Sequence, residues 1–228
     1  MFRKLLIFFC GLAPLSSVFF HPAPARSCAR QASVKNGNIF VTTEKGQVQE
    51  ITSTGLDSEP ALSDDGTLVA FVREIEVPKP VLYGEPEEKS EIWLASCSDD
   101  WRGRLIVKGP LAGKAAPQAS GLMNFRRPQF SPDKSRIYFL EPEYSATTDG
   151  LFYVSRSGGT VHFLATALQY WVVPKGRWAG DLVLHQNPLT YSGGRIDIYY
   201  LFDPGGKQLG IVGLTEDSVH FFMKEFGK

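Results

Sequence analysis

The sequence predicts an all-β fold assembled from repeated hairpins, and three observations predict it. Two segments copy one another: Pro60-Ala-Leu-Ser63-Asp-Asp65-Gly-Thr-Leu-Val69-Ala-Phe71-Val72 and Pro128-Gln-Phe-Ser131-Pro-Asp133-Lys-Ser-Arg-Ile137-Tyr-Phe139-Leu140. Both read P-x-[LF]-S-x-D-x-x-x-[VI]-x-F-[VL]. The apolar runs are short and rich in β-branched and aromatic residues, as buried strands are. The 228 residues include 22 Gly and 15 Pro with 12% aromatics, which suits many turns between many strands. A spaced repeat of strand, polar turn and strand is the signature of a β-propeller.

Residues 1–25 read as a secretory signal peptide. Arg3 and Lys4 make a basic start, an apolar stretch runs from Leu5 to Phe20, and Ala23-Pro-Ala25 offers small residues for cleavage. Pro14, Ser16, Ser17 and Pro22 interrupt the run, which falls short of the roughly 20 apolar residues of a spanning helix. No membrane insertion is therefore expected after cleavage. Cys10 follows Phe-Phe rather than the small residues that precede a lipidated cysteine. A cut after Ala25 leaves Cys28 and Cys97 as one possible disulfide in an oxidising compartment. A cut after Ala29 leaves Cys97 alone. Residues 26–228 are expected to form a single domain. Loss of Arg3 and Lys4 takes 24 basic residues to 22 against 24 acidic ones, a net charge of −2. That balance gives no basic excess to drive phosphate binding, so nucleic acid is not an expected partner.

The remaining elements follow in chain order. An outer-type hairpin spans 37–52, an inner-type hairpin 60–72, and a second outer hairpin runs from Glu91 through a polar stretch to Val107. The inner hairpin 128–140 and the outer hairpin 150–164 repeat the scheme. A third inner hairpin, Tyr170 to Leu184, keeps the place but not the letters, because Lys175-Gly-Arg-Trp-Ala-Gly180 replaces the Ser-x-Asp turn. The outer hairpin 195–212 and an apolar stretch Ser218-Val-His-Phe-Phe222, read as a last strand, complete the chain. Gly46, Gly158-Gly159 and Gly205-Gly206 can supply positive φ in the turns. Ser63, Asp65, Ser131 and Asp133 are expected to hold their turns by hydrogen bonds to local backbone, not to bind metal or do chemistry.

Inner hairpins of the form P-x-[WF]-S-P-D-G-x-x-[IV]-x-F, each followed by an outer strand and a Gly-Gly turn, resemble the WD40-like repeats of TolB-type β-propellers. Arg127-Pro-Gln-Phe-Ser-Pro-Asp133 and Asp65-Gly-Thr-Leu-Val-Ala-Phe71 carry most of the resemblance, which covers about residues 37–212. The first copy has Asp64 for the Pro and Leu62 for the aromatic, and the second lacks the Gly after Asp133. The copies are 131 − 63 = 68 residues apart, against roughly 40–45 for a typical blade. The excess lies in 74–90 and 108–125. Blades at 60–107, 128–164 and 172–212 leave the N-terminal hairpin and the C-terminal strand over. Those leftovers can close a ring of about four blades, or the propeller is open or distorted with its edge covered by a partner.

The resemblance implies a protein-binding scaffold and places the residue before each inner-strand Pro at the mouth of the central channel. Here those are Glu59 and Arg127, and Trp171 more loosely. Tyr83 and Trp101 in the long inserts are further candidate partner-binding anchors. His162, His185 and His220 sit singly in apolar patterns, Glu85, Glu87 and Glu88 read as a solvated acidic loop, and no G-x-S-x-G, G-x-G-x-x-G or P-loop motif is present. No catalytic residue, metal site or cofactor is expected. The expected protein is a periplasmic, non-enzymatic propeller that binds another protein. An immunity protein against a toxic periplasm-targeted enzyme, and a lectin or hydrolase, are the alternatives.

Overall fold

A computed structural model describes residues 28–75, 89–109, 125–142 and 148–227. The predicted signal peptide, Tyr83 and the acidic trio Glu85, Glu87 and Glu88 lie outside the described residues. Among the described residues fifteen strands form four antiparallel sheets. The first holds β1 (Gln31–Lys35), β2 (Asn38–Thr42) and β3 (Val48–Glu50). The second is a meander of β4 (Asp57–Leu62), β5 (Leu68–Ile75), β6 (Lys89–Ser96) and β7 (Gly103–Lys108). The third runs β8 (Arg126–Phe130), β9 (Arg136–Pro142), β10 (Asp149–Ser155) and β11 (His162–Ala167). The fourth runs β12 (Gln169–Val172), β13 (Leu182–Gln186), β14 (Ile198–Phe202) and β15 (Gln208–Gly213), followed by helix α1 (Glu216–Phe226).

The sheets pack face to face in chain order, because each central strand is apolar on both sides. In β5, Val69 and Phe71 face the first sheet and pack with Ile39, Val41 and Trp101. The alternate residues Leu68, Ala70 and Val72 face the third sheet and pack with Ile137, Phe139 and Phe152. In β9 the other face, Tyr138 and Leu140, meets Tyr170, Leu182 and Leu184 of the fourth sheet. The period of two thus lets one strand feed two cores. Outward-facing residues of the first sheet are mostly polar, as Gln31, Ser33 and Asn38 show.

Two expectations are corrected. The stretch 218–222 is not a strand but lies within α1. Thr215 has extended backbone at the helix N-terminus, Glu216 and Asp217 occupy the first turn, and Lys224 the last, all favourable to the helix dipole. Val219, Phe222 and Met223 fall on one face and pack on Val173, Val183, Tyr199 and Leu201 of the fourth sheet. The termini therefore do not share a blade: the first sheet has its own three strands, and among the described residues none of them pairs with the fourth sheet. The ring is left open, with α1 covering the apolar face that a further blade would cover.

The repeated turns are built alike. Ser63 donates to Asp65 Oδ1 at 2.8 Å, which also accepts from the Thr67 hydroxyl at 2.8 Å, and the Leu68 amide donates to Ser63 Oγ at 3.0 Å. In the second copy Ser131 donates to Asp133 Oδ1 at 2.5 Å, the Ser135 amide donates to the same oxygen at 3.0 Å, and the Arg136 amide to Ser131 Oγ at 3.0 Å. The repeat departs from itself at the next residue. Gly66 has φ +67°, and Lys134 adopts the same left-handed backbone with φ +59°, at a cost of roughly 1 kcal/mol for a residue with a side chain. The lysine ammonium crosses to the neighbouring sheet and pairs with Asp65 Oδ2.

Burial raises the Asp65 carboxyl, but hydrogen bonds from Lys134, Ser63 and Thr67 outweigh it and hold it well below the usual range. The hydrogen bonds from Ser131 and Ser135 bring Asp133 down to about 2 from 3.8. A depressed carboxyl stabilises the fold above its unfolded value and loses that contribution as pH falls through its folded value. The stabilisation from Asp133 is therefore complete above pH 3.8 and lost toward about 2. Melting temperatures recorded between pH 5 and pH 2.5 should fall less steeply for Asp133→Asn than for the parent. Parallel curves would refute this account of the turn.

Candidate functional site

The first strands of the second and third sheets carry the same irregularity. In β4 the ladder pairs Asp57 with Arg73 and Ser58 with Val72, then skips to Ala61 with Ala70. In β8 it pairs Arg126 with Leu140, then skips to Gln129 with Tyr138. Glu59-Pro60 and Arg127-Pro128 are the residues left out. Proline has no amide to offer the ladder, so a bulge costs least there. Glu59 and Arg127 are turned into the left-handed region, with φ +48° and +53°. Such backbone in a bulky residue persists only where its surroundings enforce it.

Here the surroundings are the neighbouring sheets. The bulge rotates the Arg127 peptide out of its own ladder, so that its amide donates to the Glu59 carboxylate and its carbonyl accepts from the Tyr170 hydroxyl. Burial pushes the Tyr170 phenol well above its ordinary value, so it remains a neutral donor. Gln129 extends the link: its amide nitrogen donates to the Tyr170 carbonyl at 3.2 Å, and its oxygen accepts from the Val172 amide at 3.3 Å. Three sheets are thus tied at their first strands. Beyond this point the same strands border a cleft of about 160 Å³ lined by Leu62, Asp64, Gln129, Phe130, Val172 and Pro174.

The sequence-chosen residues fall into three groups. Glu59 and Arg127 come together as neighbours on adjacent first strands, both exposed, and the contact runs through the Arg127 backbone, not through an ion pair. Among the described residues the Arg127 guanidinium has no carboxylate partner. Trp171 is half-buried on the opposite side, 5.9 Å from the Tyr199 ring in the core beneath α1. The residue that meets the pair from the fourth sheet is its neighbour Tyr170, which sequence reasoning did not select. Trp101 is 6% exposed and packs in the core between the first two sheets, so it is not a surface anchor. That core also holds the Cys28–Cys97 disulfide, with a Cα–Cα distance of 6.0 Å. The Ala29 amide donates to the Gly66 carbonyl at 2.9 Å, so Cys28 and Ala29, which a cut after Ala29 would remove, are both used by the fold.

Of the histidines, His162 stacks on Tyr153 at 4.9 Å, and His185 stacks on Tyr199 at 4.6 Å and meets Asp197 at 2.8 Å. His220 lies exposed on α1 rather than on a strand. The outer strand β15, α1 and the link between them present exposed apolar side chains, among them Ile211, Phe221 and Leu214 at 64%, 64% and 56%. No helix among the described residues is long and apolar enough to cross a membrane.

Antiparallel meanders stacked through their faces, with the first strands of the last three tied together, define a β-propeller, here an open one with one three-stranded and three four-stranded sheets among the described residues. Solved structures bear this out. TolB from Acinetobacter baumannii matches at 16% identity over 81% of this chain and 40% of its own, with a TM-score of 0.50. The oligogalacturonate lyase of Vibrio parahaemolyticus matches at 12% identity over 81% and 50%, with a TM-score of 0.59. Dipeptidyl peptidase 4 of Porphyromonas gingivalis matches at 14% over 80% and 30%, with a TM-score of 0.51. This chain spans half or less of each of these proteins, and the likeness is one of fold. No family model and no curated protein matches the sequence.

Proposed function

We infer that this protein is exported to the periplasm and acts there as a non-enzymatic protein-binding module at the cell envelope. The observation that carries the reading is the mouth pair. Glu59 and Arg127 are exposed on left-handed backbone that is tied to the buried Tyr170, and among the described residues the Arg127 guanidinium has no carboxylate partner. Strain and preorganisation around an exposed arginine are what a recognition site requires. The disulfide supports export, since such bonds persist in oxidising compartments. The propeller fold shared with TolB supports a binding role by analogy.

The test is capture of partners from an envelope extract by the tagged protein. Arg127→Glu should reduce capture about tenfold, the range of an interface hot spot, while leaving the melting temperature unchanged because only the backbone of Arg127 serves the fold. Undiminished capture would refute the site. A hydrolytic activity lost on replacing His162, His185 or His220 would refute the non-enzymatic reading.

A further inference from the structure

Helix α1 covers the fourth sheet with one face and leaves the other bare. Val219 and Met223 turn inward. The opposite stripe is Asp217, Phe221 and Lys224, spaced i, i+4 and i+7 and all exposed. Phe221 stands 64% exposed between the two charges. Among the described residues neither Asp217 nor Lys224 joins an ion pair within its own chain. Beside the stripe, between α1 and β15, lies a groove of about 420 Å³ lined by Val212, Asp217, Phe221, Phe222 and Phe226, among others. The Phe222 and Phe226 rings are 5.2 Å apart and give the groove an apolar wall. Phe226 is itself 47% exposed. Apolar surface gathered in this way marks a place of contact.

We propose that this face binds a second copy of the chain, with α1 packed antiparallel on α1 about a two-fold axis beside Phe221. The charges select this partner. Asp217 lies one turn before Phe221 and Lys224 about one turn after it on the same stripe. A two-fold axis normal to the plane of the two helices keeps that stripe on one side and reverses its direction. Asp217 of each copy then meets Lys224 of the other, twice over. The two Phe221 rings meet between these pairs, each at the edge of the other copy's groove. Antiparallel packing also sets the positive end of each helix dipole against the negative end of its partner. Glu225 falls on a neighbouring stripe in line with Ser218, again i and i+7, so it meets a hydroxyl and not a like charge. A parallel pairing would instead set Asp217 on Asp217 and Lys224 on Lys224. The contact is isologous, so the same patch serves both copies and the assembly closes at two. One helix and the margin of one strand on each side make a small interface, so the association is weak and depends on concentration. The face is separate from the mouth, since neither Glu59 nor Arg127 lines the groove.

Sedimentation equilibrium of the purified protein, disulfide intact, from about 1 μM to about 1 mM should show a monomer and a dimer exchanging. Phe221→Asp should raise the dissociation constant at least tenfold, the effect of a hot-spot residue. At concentrations where the parent is monomeric it should leave unfolding unchanged, so the loss reports the contact and not the fold. Asp217→Lys and Lys224→Asp each turn two attractions into two repulsions and should each weaken the dimer about tenfold. An equimolar mixture of these two single variants should dimerise as well as the parent, because each supplies the charges that the other lacks. Only an antiparallel pairing of the two helices gives that rescue. Arg127→Glu should leave the dimer unchanged, so the pairing and the mouth are tested apart. A parent that stays monomeric, a dimer indifferent to Phe221→Asp, or a mixture no tighter than either variant alone overturns the proposal. If a monomeric parent floats with phosphatidylethanolamine–phosphatidylglycerol vesicles and Phe221→Asp does not, the groove belongs to a lipid surface instead. If Phe221→Asp removes a protein captured from envelope extract by a monomeric parent, the groove belongs to that protein.

Discussion

Cys97→Ala should lower the unfolding free energy by about 4 kcal/mol, the chain-entropy value for a cross-link closing a loop of this length. The bond spans 69 residues and joins the segment leading into β1 to the end of β6. Among the described residues it is the only covalent tie, beyond the chain itself, between the first two sheets. The non-covalent ties are the core around Ile39, Val41, Phe71 and Trp101 and a few backbone bonds, such as the Asp57 amide to the Gly37 carbonyl at 2.7 Å. Urea unfolding of the parent with and without dithiothreitol should reproduce the difference. Coincident curves, or free thiols at both positions by mass spectrometry, would refute it.

Val219→Asp should cost about 3 kcal/mol, because it places a charge with no partner in a closed apolar contact. Val219 is 1% exposed between α1 and the fourth sheet. Phe221→Asp is the control. It lies on the same helix, but its ring is 64% exposed, and the change should stay within about 0.5 kcal/mol. Equal effects at the two positions in urea unfolding would show that α1 does not use this face to cover the sheet.

The sequence showed most clearly what short stretches of chain decide. The Ser-x-Asp turns were legible because each is closed by residues within five positions of one another, and the central strands because their apolar runs are unbroken. β1 was missed although Asn36-Gly37, both at positive φ, form the two-residue turn that marks a hairpin; the strand itself is mostly polar and exposed and gave no apolar signal. The apolar stretch 218–222 suggests a strand, whereas the acidic start and the spacing of Val219, Phe222 and Met223 are the better guide. At the mouth, Glu59 and Arg127 were found by the proline that follows each. Where the letters degenerate, the choice fell on Trp171 instead of Tyr170, and in a strand a slip of one residue changes the face. Trp101 sits in a polar stretch, so nothing local revealed that it turns inward. The Lys134–Asp65 pair joins positions 69 apart, which no local pattern can show.

The helix at the end of the chain has a consequence for descent. A closed ring fixes its number of blades, because the last must meet the first at a set angle, and a blade gained or lost breaks the circle. An array that ends in its own cap is free of that condition. Among the described residues the fourth sheet is covered by α1 and pairs with no strand of the first, so a unit added or removed between the inner sheets breaks no circle. In that respect the molecule obeys the rules of a linear repeat array, in which each unit leans only on its neighbours.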